Sequence, residues 1–341
     1  MSSKSTPRTI AAAAVAAFAW AGPAAAADLP AKAGEPAKPP SFFIVNDNSV
    51  SFTWYPSATD PGVSGNGVAG NSNAFNKFVG SATHFDAWAY GTNYFNIDIL
   101  KSDNNDPING QFNPRASGAI ELYAFERSTL GLNQLTHSKM FENFLFRNVE
   151  LEVGGDVETE NNQLGPEKRD VVFGAQFDLN LPGMVNLSVL AYKEWNNNNF
   201  YIVPGAFSGA TDFQWAPRLE LLVTEPLTFL PWPVSWRNFT GVTFPKGTGI
   251  SQAQLTVLCG GTCTGSNPFS AFTKAEIFED NRLVLDASKL WFNTPGVWDL
   301  YAGYRYWYNK FGTDHNAPLF AQVAPGTSVE STAYIGTTYH F

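Results

Sequence analysis

The chain has few charged residues, few sulfur-containing residues and few histidines, and each of these low counts excludes some classes of protein or site. Only 15% of its 341 residues are charged, against about 25% in typical soluble proteins. The formal net charge of −9 argues against nucleic acid as a partner, because that binding depends on basic residues that displace counter-ions. The two cysteines and four histidines lack the spacing of metal ligands, so the sequence predicts no metal and no cofactor.

Apolar runs long enough for a membrane helix are also missing. The main apolar run, over residues 10–21, follows two basic residues and precedes small residues at Ala25 and Ala27. A run of this length is too short to span a bilayer as a helix, but the arrangement is that of a secretory signal peptide. We therefore expect residues 1–27 to direct export and then to be removed.

The chain does contain regular alternation. Twelve segments alternate polar and apolar residues with a period of two, which predicts strands rather than helices. Segments of about nine to eleven residues match a tilted strand that crosses a membrane. The predicted strands lie at 48–55, 83–90, 93–100, 117–126, 144–154, 170–179, 185–195, 212–223, 234–244, 282–290 (with a start as early as 273), 297–309 and 329–341.

The predicted connections differ in length at the two ends of the strands. Odd-to-even connections are long and polar, and most even-to-odd connections are short, as in barrels with long extracellular loops and short periplasmic turns. The sequence thus predicts an all-β fold, a single antiparallel transmembrane β-barrel of about twelve strands in the lipid of the bacterial outer membrane. The predicted long loops are 56–82, 102–115, 155–168, 196–211, 245–272 and 310–328, and the predicted parts are a signal peptide (1–27), a periplasmic N-terminal segment (28–47) and the barrel (48–341).

The last strand shows the two predicted faces most clearly. From Val329 to Phe341 the odd-numbered residues form one face, and the even-numbered residues, including Glu330 and Tyr334, form the other. In a membrane barrel the apolar face meets lipid and the polar face lines the lumen. A terminal Phe is typical of outer-membrane barrels, in which it closes the barrel and signals assembly. Phe341 therefore predicts the barrel-assembly machinery as a partner.

The same parity assigns faces to the other strands. The residues predicted to face lipid in the second and third strands are Phe85, Ala87, Ala89, Phe95, Ile97 and Ile99, and those predicted to face the lumen are His84, Asp86, Trp88, Asn96 and Asp98. Further predicted lumen residues are Glu121, Glu150, Glu152, Asp170, Gln176, Asp178, Glu194, Arg218, Glu220, Asp286 and Arg305. Aromatic residues predicted to face lipid near strand ends are Trp54, Phe177, Trp195, Phe213, Trp215, Trp298, Tyr304, Tyr306, Tyr308 and Tyr339.

Signals of catalysis are weak in this sequence. No Gly-x-Ser-x-Gly motif occurs, and His84 with Asp86 is the one His–carboxylate pair suggested by strand parity. Residues two apart on a strand are separated by about 7 Å, so such a pair bonds directly only if its side chains lean together. The sequence predicts that the protein is not an enzyme. Cys259 and Cys263 are predicted to form a loop-closing disulfide in an oxidising compartment.

Aromatic residues on the predicted lumen face favour a selective channel. These residues are Trp88, Tyr90, Tyr192, Tyr301, Trp307 and Tyr334. Rings flanked by carboxylates, amides and guanidinium groups suit a flat polar ring such as a nucleobase. An acidic lumen is expected to repel anions and to admit neutral or cationic solutes. A general diffusion porin and an outer-membrane barrel hydrolase are the alternatives.

Several stretches resemble Tsx-type nucleoside-specific channel-forming outer-membrane proteins. THFDAWAYGTNYFNIDILKSDNN is similar to an early hairpin of that family, and LPGMVNLSVLAYKEWNNN to a periplasmic turn with the strand that follows. PGVWDLYAGYRYWYNKFG is similar to the penultimate strand, and YIGTTYHF to the closing end. The resemblance implies a narrow, monomeric twelve-stranded barrel that passes nucleosides, although the loops at 56–82 and 245–272 and the cysteine pair depart from the family. The substrate-binding residues it implies are Asp86, Trp88, Asn96, Asp98, Glu121, Arg305 and Trp307.

Overall fold

The structure is a computed structural model, and it describes residues 42–61, 74–106, 118–161, 167–197, 210–249, 251, 253, 272–316 and 325–341. The predicted signal peptide, most of the predicted N-terminal segment, and Cys259 and Cys263 lie outside the described residues. Within the described ranges, no helix has the length and apolar character needed to cross a membrane.

The described residues form one antiparallel sheet of 13 strands that closes on itself. The strands are β1 (Phe43–Ala58), β2 (Phe75–Trp88), β3 (Gly91–Ser102), β4 (Ile120–Gly131), β5 (Phe146–Glu160), β6 (Lys168–Leu179), β7 (Met184–Asn197), β8 (Ala210–Asp212), β9 (Ala216–Pro226), β10 (Val234–Thr243), β11 (Glu276–Asp286), β12 (Trp298–Tyr308) and β13 (Val329–His340). Two short α-helices, α1 (Leu132–Leu135) and α2 (Ala287–Phe292), and a 3-10 helix (Lys310–Gly312) lie in connections.

Closure of the sheet makes a barrel of twelve long strands. Strand β8 has only 3 residues and pairs with the end of β7. Each of the other strands pairs with a neighbour on both sides, because β6 pairs with β7 and β1 pairs with β13. The backbone N–H of Phe341 donates to the carbonyl of Asn48 at 2.9 Å, so the chain terminus belongs to this closing seam. The predicted closed barrel is confirmed.

The two ends of the barrel carry different connections. At one end, which we call the short-turn end, residues 89–90 and 180–183 join neighbouring strands. At the opposite end, the long-loop end, residues 59–74 and 244–275 do so. The difference in length matches the asymmetry expected from the sequence, although the 161–167 connection is itself short.

Several predicted strand boundaries are wrong, for local reasons. Strand β2 begins at Phe75, inside the predicted loop 56–82. The sequence analysis missed this start because buried Lys77 shares a face with Val79 and hides the alternation of polar and apolar residues. The predicted strand 282–290 ends at Asp286, whose side chain accepts a hydrogen bond from the backbone N–H of Lys289 and caps helix α2.

Three further differences affect strand ends. Strand β1 begins at Phe43, ahead of the predicted barrel start at 48. Strand β4 runs to Gly131 and therefore includes residues that the sequence places in a turn. The predicted strand 212–223 is interrupted over residues 213–215, which separate β8 from β9.

Apolar side chains cover most of the outer wall. In β1, Val50, Phe52 and Trp54 are exposed, whereas Ser49 and Thr53 are buried. Directly opposed residues of an antiparallel pair share a face, so the register extends this assignment around the barrel. Exposed residues on the outer face of other strands include Phe78, Phe95, Ile99, Leu122, Leu151, Val153, Val171, Phe173, Val189, Leu283, Ile335 and Tyr339. An apolar outer wall is the face that a transmembrane barrel presents to lipid.

The predicted faces of β2 are wrong. Gly80 opposes Phe52 of the outer face, and the register of β2 with β3 is continuous from there to Trp88. His84, Asp86 and Trp88 therefore lie on the outer face, and Phe85 and Ala87 lie on the inner face. The sequence misled here because polar residues on both faces of THFDAWAY give two plausible parities, and only pairing with β1 and β3 distinguishes them.

The inner wall carries the predicted acidic side chains. The register places Asp98, Glu121, Glu150, Glu152, Asp170, Gln176, Asp178, Glu194, Arg218, Glu220, Asp286, Arg305 and Glu330 on the inner face. Phe213 is an exception among the predicted lipid-facing aromatics. It is 0% exposed and lies 4.8 Å from the Lys246 ammonium, because the chain leaves the strand ladder at this point.

We predict that Val153→Arg destabilises the barrel in lipid vesicles by about 2–4 kcal/mol, since Val153 faces outward near the middle of β5 and an arginine there contacts the bilayer interior. The free energy of unfolding in urea measures the effect. The control is Gln176→Arg on the inner face, beside Glu150 and Asp178, with an expected change under about 1 kcal/mol. Equal effects would contradict the assignment of faces.

Candidate functional site

The lumen is closed by charged side chains towards the long-loop end and is more open towards the short-turn end. Lys246 and Lys310 come from loops, yet each is only 1% exposed. By contrast, the side chains of Arg237 and Arg282 on the inner wall are 44% and 35% exposed. Loop residues thus fold into the mouth and narrow it.

A cluster of five charged residues, which we call the mouth cluster, ties the loops to the barrel wall. The Lys77 ammonium contacts Glu121 at 2.7 Å and Asp60 at 3.0 Å. The Lys310 ammonium contacts Asp60 at 2.6 Å and Glu330 at 3.0 Å. Because Asp60 and Lys310 lie in different connections, the cluster joins the β1–β2 loop to the β12–β13 loop.

Carboxylates in and beside the mouth cluster lie close enough to share a cation. Oxygens of Asp60, Asp106 and Glu121 lie within 4.8 Å of one another, and oxygen ligands of this kind suit hard divalent ions. The Lys77 ammonium already contacts two of these three carboxylates. The chain itself therefore supplies much of the counter-charge that an ion would provide.

A second buried cluster lies on the wall formed by β6 and β7. The Tyr192 hydroxyl donates to Asp170 at 3.1 Å and to Glu194. The Lys168 ammonium contacts Asp170 at 2.9 Å, and the Lys246 ammonium contacts Glu194. Every charge in this cluster has an opposite charge beside it, which is the condition for keeping ions away from water.

An ion pair crosses the lumen on the short-turn side of these clusters. The Arg127 guanidinium on β4 donates two hydrogen bonds to Glu220 on β9, at 2.7 and 3.1 Å. Strands β4 and β9 are separated by β5, β6 and β7 in the sheet, so the pair spans the interior. Arg127 also bonds Asp156 at 3.1 Å, and Glu220 accepts from Arg218 at 2.6 Å.

A run of aromatic rings crosses the lumen beside that ion pair. Tyr94 lies 5.8 Å from Phe125, and Phe125 lies 5.9 Å from Phe239. The run continues from Phe239 to Phe278 at 6.0 Å and from Phe278 to Trp307 at 5.5 Å. We call these five residues the aromatic row. It joins strands on nearly opposite walls, β3 and β4 to β10, β11 and β12.

Two tyrosines occupy the space beside lumen-facing glycines. A Cβ at Gly303 would lie 2.2 Å from the Tyr334 ring, and one at Gly336 would lie 2.3 Å from the Tyr301 ring. The rings therefore require glycine at these positions on neighbouring strands. Tyr334 donates its hydroxyl to Asp280, and Asp280 also accepts from Arg305 at 3.2 and 3.3 Å.

The structure divides the sequence-predicted site residues into four groups. Asn96 and Asp98 lie together on the inner face of β3, with the Asn96 amide donating to Asp98 at 2.8 Å. Arg305 and Trp307 lie together on the inner face of β12, and Glu121 belongs to the mouth cluster. Asp86 and Trp88 lie on the outer face, so the expectation that they line the lumen is wrong.

His84 and Asp86 do contact each other, on the outer wall. His84 Nε2 lies 3.0 Å from Asp86, and His84 Nδ1 lies 2.8 Å from the Asn48 side-chain oxygen. Both ring nitrogens are therefore engaged by acceptors. A histidine that serves as a general base needs one nitrogen directed at a nucleophile or water, so this geometry gives the pair no catalytic arrangement.

The sequence analysis missed the residues that cross the lumen. Arg127 falls in a predicted turn, since the polar stretch after 126 shows little alternation. Phe239 lies on a strand whose faces the sequence left unassigned, and Phe278 lies ahead of residue 282, where the predicted strand is firmest. Parity counted along β10 and β11 would have placed both rings inside, but their contact across the barrel depends on tertiary structure.

A closed ladder with apolar residues outside and paired charges inside is the architecture of outer-membrane barrels. The chain is a transmembrane β-barrel of the outer-membrane type. No protein-family model matches it, and no curated protein does either.

Solved structures show distant similarity to the barrel. An outer-membrane channel from Pseudomonas putida F1 has 12% identity and a TM-score of 0.43, with 90% of this chain and 100% of that chain covered. The translocator domain of the autotransporter NalP from Neisseria meningitidis has 10% identity and a TM-score of 0.35, covering 87% and 89%. OccK5 from Pseudomonas aeruginosa has 8% identity and a TM-score of 0.28, covering 88% and 99%.

Burial and charge pull the pKa of the loop residue Asp60 in opposite directions. Burial raises the pKa of its carboxyl, but the Lys310 and Lys77 ammonium groups outweigh burial and hold it below the ordinary value of 3.8. For Lys310, burial lowers the pKa, and the Asp60 and Glu330 carboxylates more than compensate, so the pKa is raised. Both shifts favour the charged pair at neutral pH.

We predict a pH dependence from Asp60, whose depressed pKa stabilises the folded state above pH 3.8 and loses that effect as the pH falls further. The free energies of unfolding of the wild type and of Asp60→Asn, measured in urea at several pH values, should differ most at neutral pH. The gap should narrow below about pH 4. A gap that stays constant down to pH 3 would show that Asp60 is not stabilised as a carboxylate.

We predict that Arg127→Met destabilises the barrel by about 3–5 kcal/mol, because it leaves Glu220 and Asp156 as buried carboxylates without this partner. Urea unfolding measures the change. The matched control is Lys139→Met, which removes an ion pair with Glu142 whose side chains are 86% and 43% exposed; its expected cost is below about 1 kcal/mol. If the two costs were similar, the cross-lumen ion pair would not hold the interior together.

Proposed function

We propose that this barrel is a narrow, passive outer-membrane channel for small polar solutes that contain a flat ring, nucleosides among them. The observation that supports this most directly is the aromatic row, which places five rings across the interior of the barrel. A general diffusion pore has no need of such rings, because water-filled lumens work with polar side chains alone.

Hydrogen-bonding groups beside the aromatic row complete a surface for a nucleoside. Asn96 and Asp98 follow Tyr94 on the inner face of β3. A base could stack on rings of the row, and its sugar hydroxyls could bond carboxylate and amide oxygens of this wall. Stacking tolerates different bases, so the site favours a class of solutes over one compound.

The closed mouth accounts for selectivity by size. A solute that passes must exchange contacts with the mouth cluster and with the Arg127–Glu220 pair, whose groups are each less than 9% exposed. Low conductance follows from this narrowing. The single chain completes the barrel by pairing β1 with β13, which supports action as a monomer.

The resemblance to Tsx-type channels supports nucleosides as the cargo. Of the residues it implies, Asn96, Asp98, Glu121, Arg305 and Trp307 lie on the inner wall and are proposed to meet the solute. The signal peptide over 1–27 and the barrel-assembly machinery, engaged by the strand that ends in Phe341, are proposed to bring the chain to its membrane.

We predict that the purified barrel gives small conductance steps in planar bilayers and that uridine reduces the current. Phe239→Ala, which removes the central ring of the aromatic row, should weaken that block about ten-fold or more, since one base–aromatic stack is worth about 1–3 kcal/mol. The matched control is Phe173→Ala on the outer face, where Phe173 is 53% exposed. Uridine should block the current through this variant as strongly as it blocks the wild type.

Three outcomes would contradict the proposal. If every nucleoside failed to block an intact open conductance, the proposed cargo would be wrong. If entry rates in liposome swelling followed solute size alone, a general diffusion porin would replace it. If the purified, folded protein catalysed hydrolysis of a lipid or a peptide, the hydrolase alternative would be favoured.

A further inference from the structure

Two arginines directly oppose each other on the inner wall near the short-turn end. Arg237 of β10 and Arg282 of β11 are register partners, and both face the lumen because their neighbours Gly241 and Phe278 do. Like charges directly opposite on neighbouring strands destabilise a sheet. Such a pair indicates that a negative charge is favourable between the two groups.

The carboxylates nearby are shared between several donors. Arg282 donates to Asp280 at 3.0 and 3.2 Å, but Asp280 also accepts hydrogen bonds from Arg305 and the Tyr334 hydroxyl. Arg237 donates to Asp299 at 3.4 Å, and Asp299 lies 3.3 Å from His340. Asp286, opposite Asp299 in the register, accepts from backbone N–H groups of its own turn, so three guanidinium groups share two carboxylates as hydrogen-bond acceptors.

Donors remain available on both arginines. A guanidinium has five N–H groups. Among the described residues, Arg237 has Asp299 as its one hydrogen-bond acceptor and Arg282 has Asp280. Their side chains are 44% and 35% exposed, although both lie inside the barrel. The Arg282 guanidinium also lies 5.3 Å from the centroid of the Tyr301 ring, and part of each arginine side chain is accessible from the lumen.

Rings of the aromatic row border the same space. Phe239 follows Arg237 on the inner face of β10 and opposes Asp280. Tyr94, on the far wall, is 36% exposed and joins the row through Phe125. A solute in contact with the arginines therefore has an aromatic surface within reach of its other end.

We propose that Arg237 and Arg282 form a binding site for the oxyanion of a small aromatic solute, either the phosphate of a nucleoside monophosphate or the carboxylate of an aromatic acid. Arginine pairs bind both groups through forked N–H donors, and the ring of the solute packs against Phe239 or Tyr94. The inference deepens the proposed channel function and rests on it. It revises the expectation of an anion-repelling lumen, because the acids of the mouth cluster are paired with Lys77 and Lys310.

Calorimetric titration of the full refolded barrel in detergent tests this site without relying on conductance. The probes are uridine and uridine monophosphate, which differ by the phosphate, and benzyl alcohol and benzoate, which differ by the carboxylate. We expect each anion to bind at least about ten-fold more tightly than its neutral counterpart, as charge-assisted hydrogen bonds predict. Comparing the gain from the phosphate with the gain from the carboxylate shows which oxyanion the site prefers.

Variants identify the residues responsible. Arg237→Gln and Arg282→Gln should each weaken anion binding about ten-fold or more and leave uridine binding within about two-fold. Arg237→Lys should bind the anion more tightly than Arg237→Gln but less tightly than the wild type, because lysine has the positive charge without the paired N–H donors of a guanidinium. Arg169→Gln, on the exposed outer face of β6, is the matched control and should bind as the wild type does. A heat-dependent shift in electrophoretic mobility confirms folding, and Arg237→Gln, which loses only one long contact, carries the test if Arg282→Gln fails to fold.

The outcomes separate this inference from the proposed function. Equal binding of each anion and its neutral counterpart, or unchanged anion binding in both Gln variants, would overturn the arginine site and leave a nucleoside channel standing. Tight anion binding to a barrel that conducts no ions in bilayers would support the site and overturn the channel.

Discussion

The closing seam between β1 and β13 is the constraint on which the rest of the structure depends. Inside a bilayer no water is available for unpaired backbone groups, so a sheet can cross only if its first and last strands pair. Register pairs from Ser49 with His340 to Trp54 with Ile335 form that seam. Once it is closed, each side chain must point either to lipid or to the lumen, and all later properties follow from this division.

The division creates an interior that must satisfy its own charges. Lysines and arginines on the inner wall meet carboxylates from strands that are distant in sequence, as in the pair of Arg127 with Glu220 across the lumen. Ions of this kind cost several kcal/mol each to bury and persist only with good partners. The interior therefore has a fixed arrangement, and in the proposed channel a solute competes for those partners as it passes.

The two ends of the lumen differ in how far that pairing goes. Towards the long loops, Lys310 and Lys77 each contact two carboxylates. Towards the short turns, the side chains of Arg237 and Arg282 are partly exposed to the lumen. The first arrangement narrows the entrance, and the second is the place where we propose that a solute binds. In the proposed channel, selective entry and solute binding both depend on this inner wall.

The sequence by itself determined the strands and most of their faces, because a period of two is a local property that survives in any sheet. Its alternation from Val329 to Phe341 correctly identified the closing strand, and the acidic residues it placed inside do line the lumen. Tertiary structure alone decided the rest. Pairing with β1 and β3 moved Asp86 and Trp88 to the outer wall, since their polar and aromatic neighbours fit either face. Only closure of the barrel brought Phe125 against Phe239, because no local pattern records which distant strands meet across a lumen. The register between β10 and β11 set Arg237 beside Arg282, because the sequence does not show how two strands on either side of a long connection align.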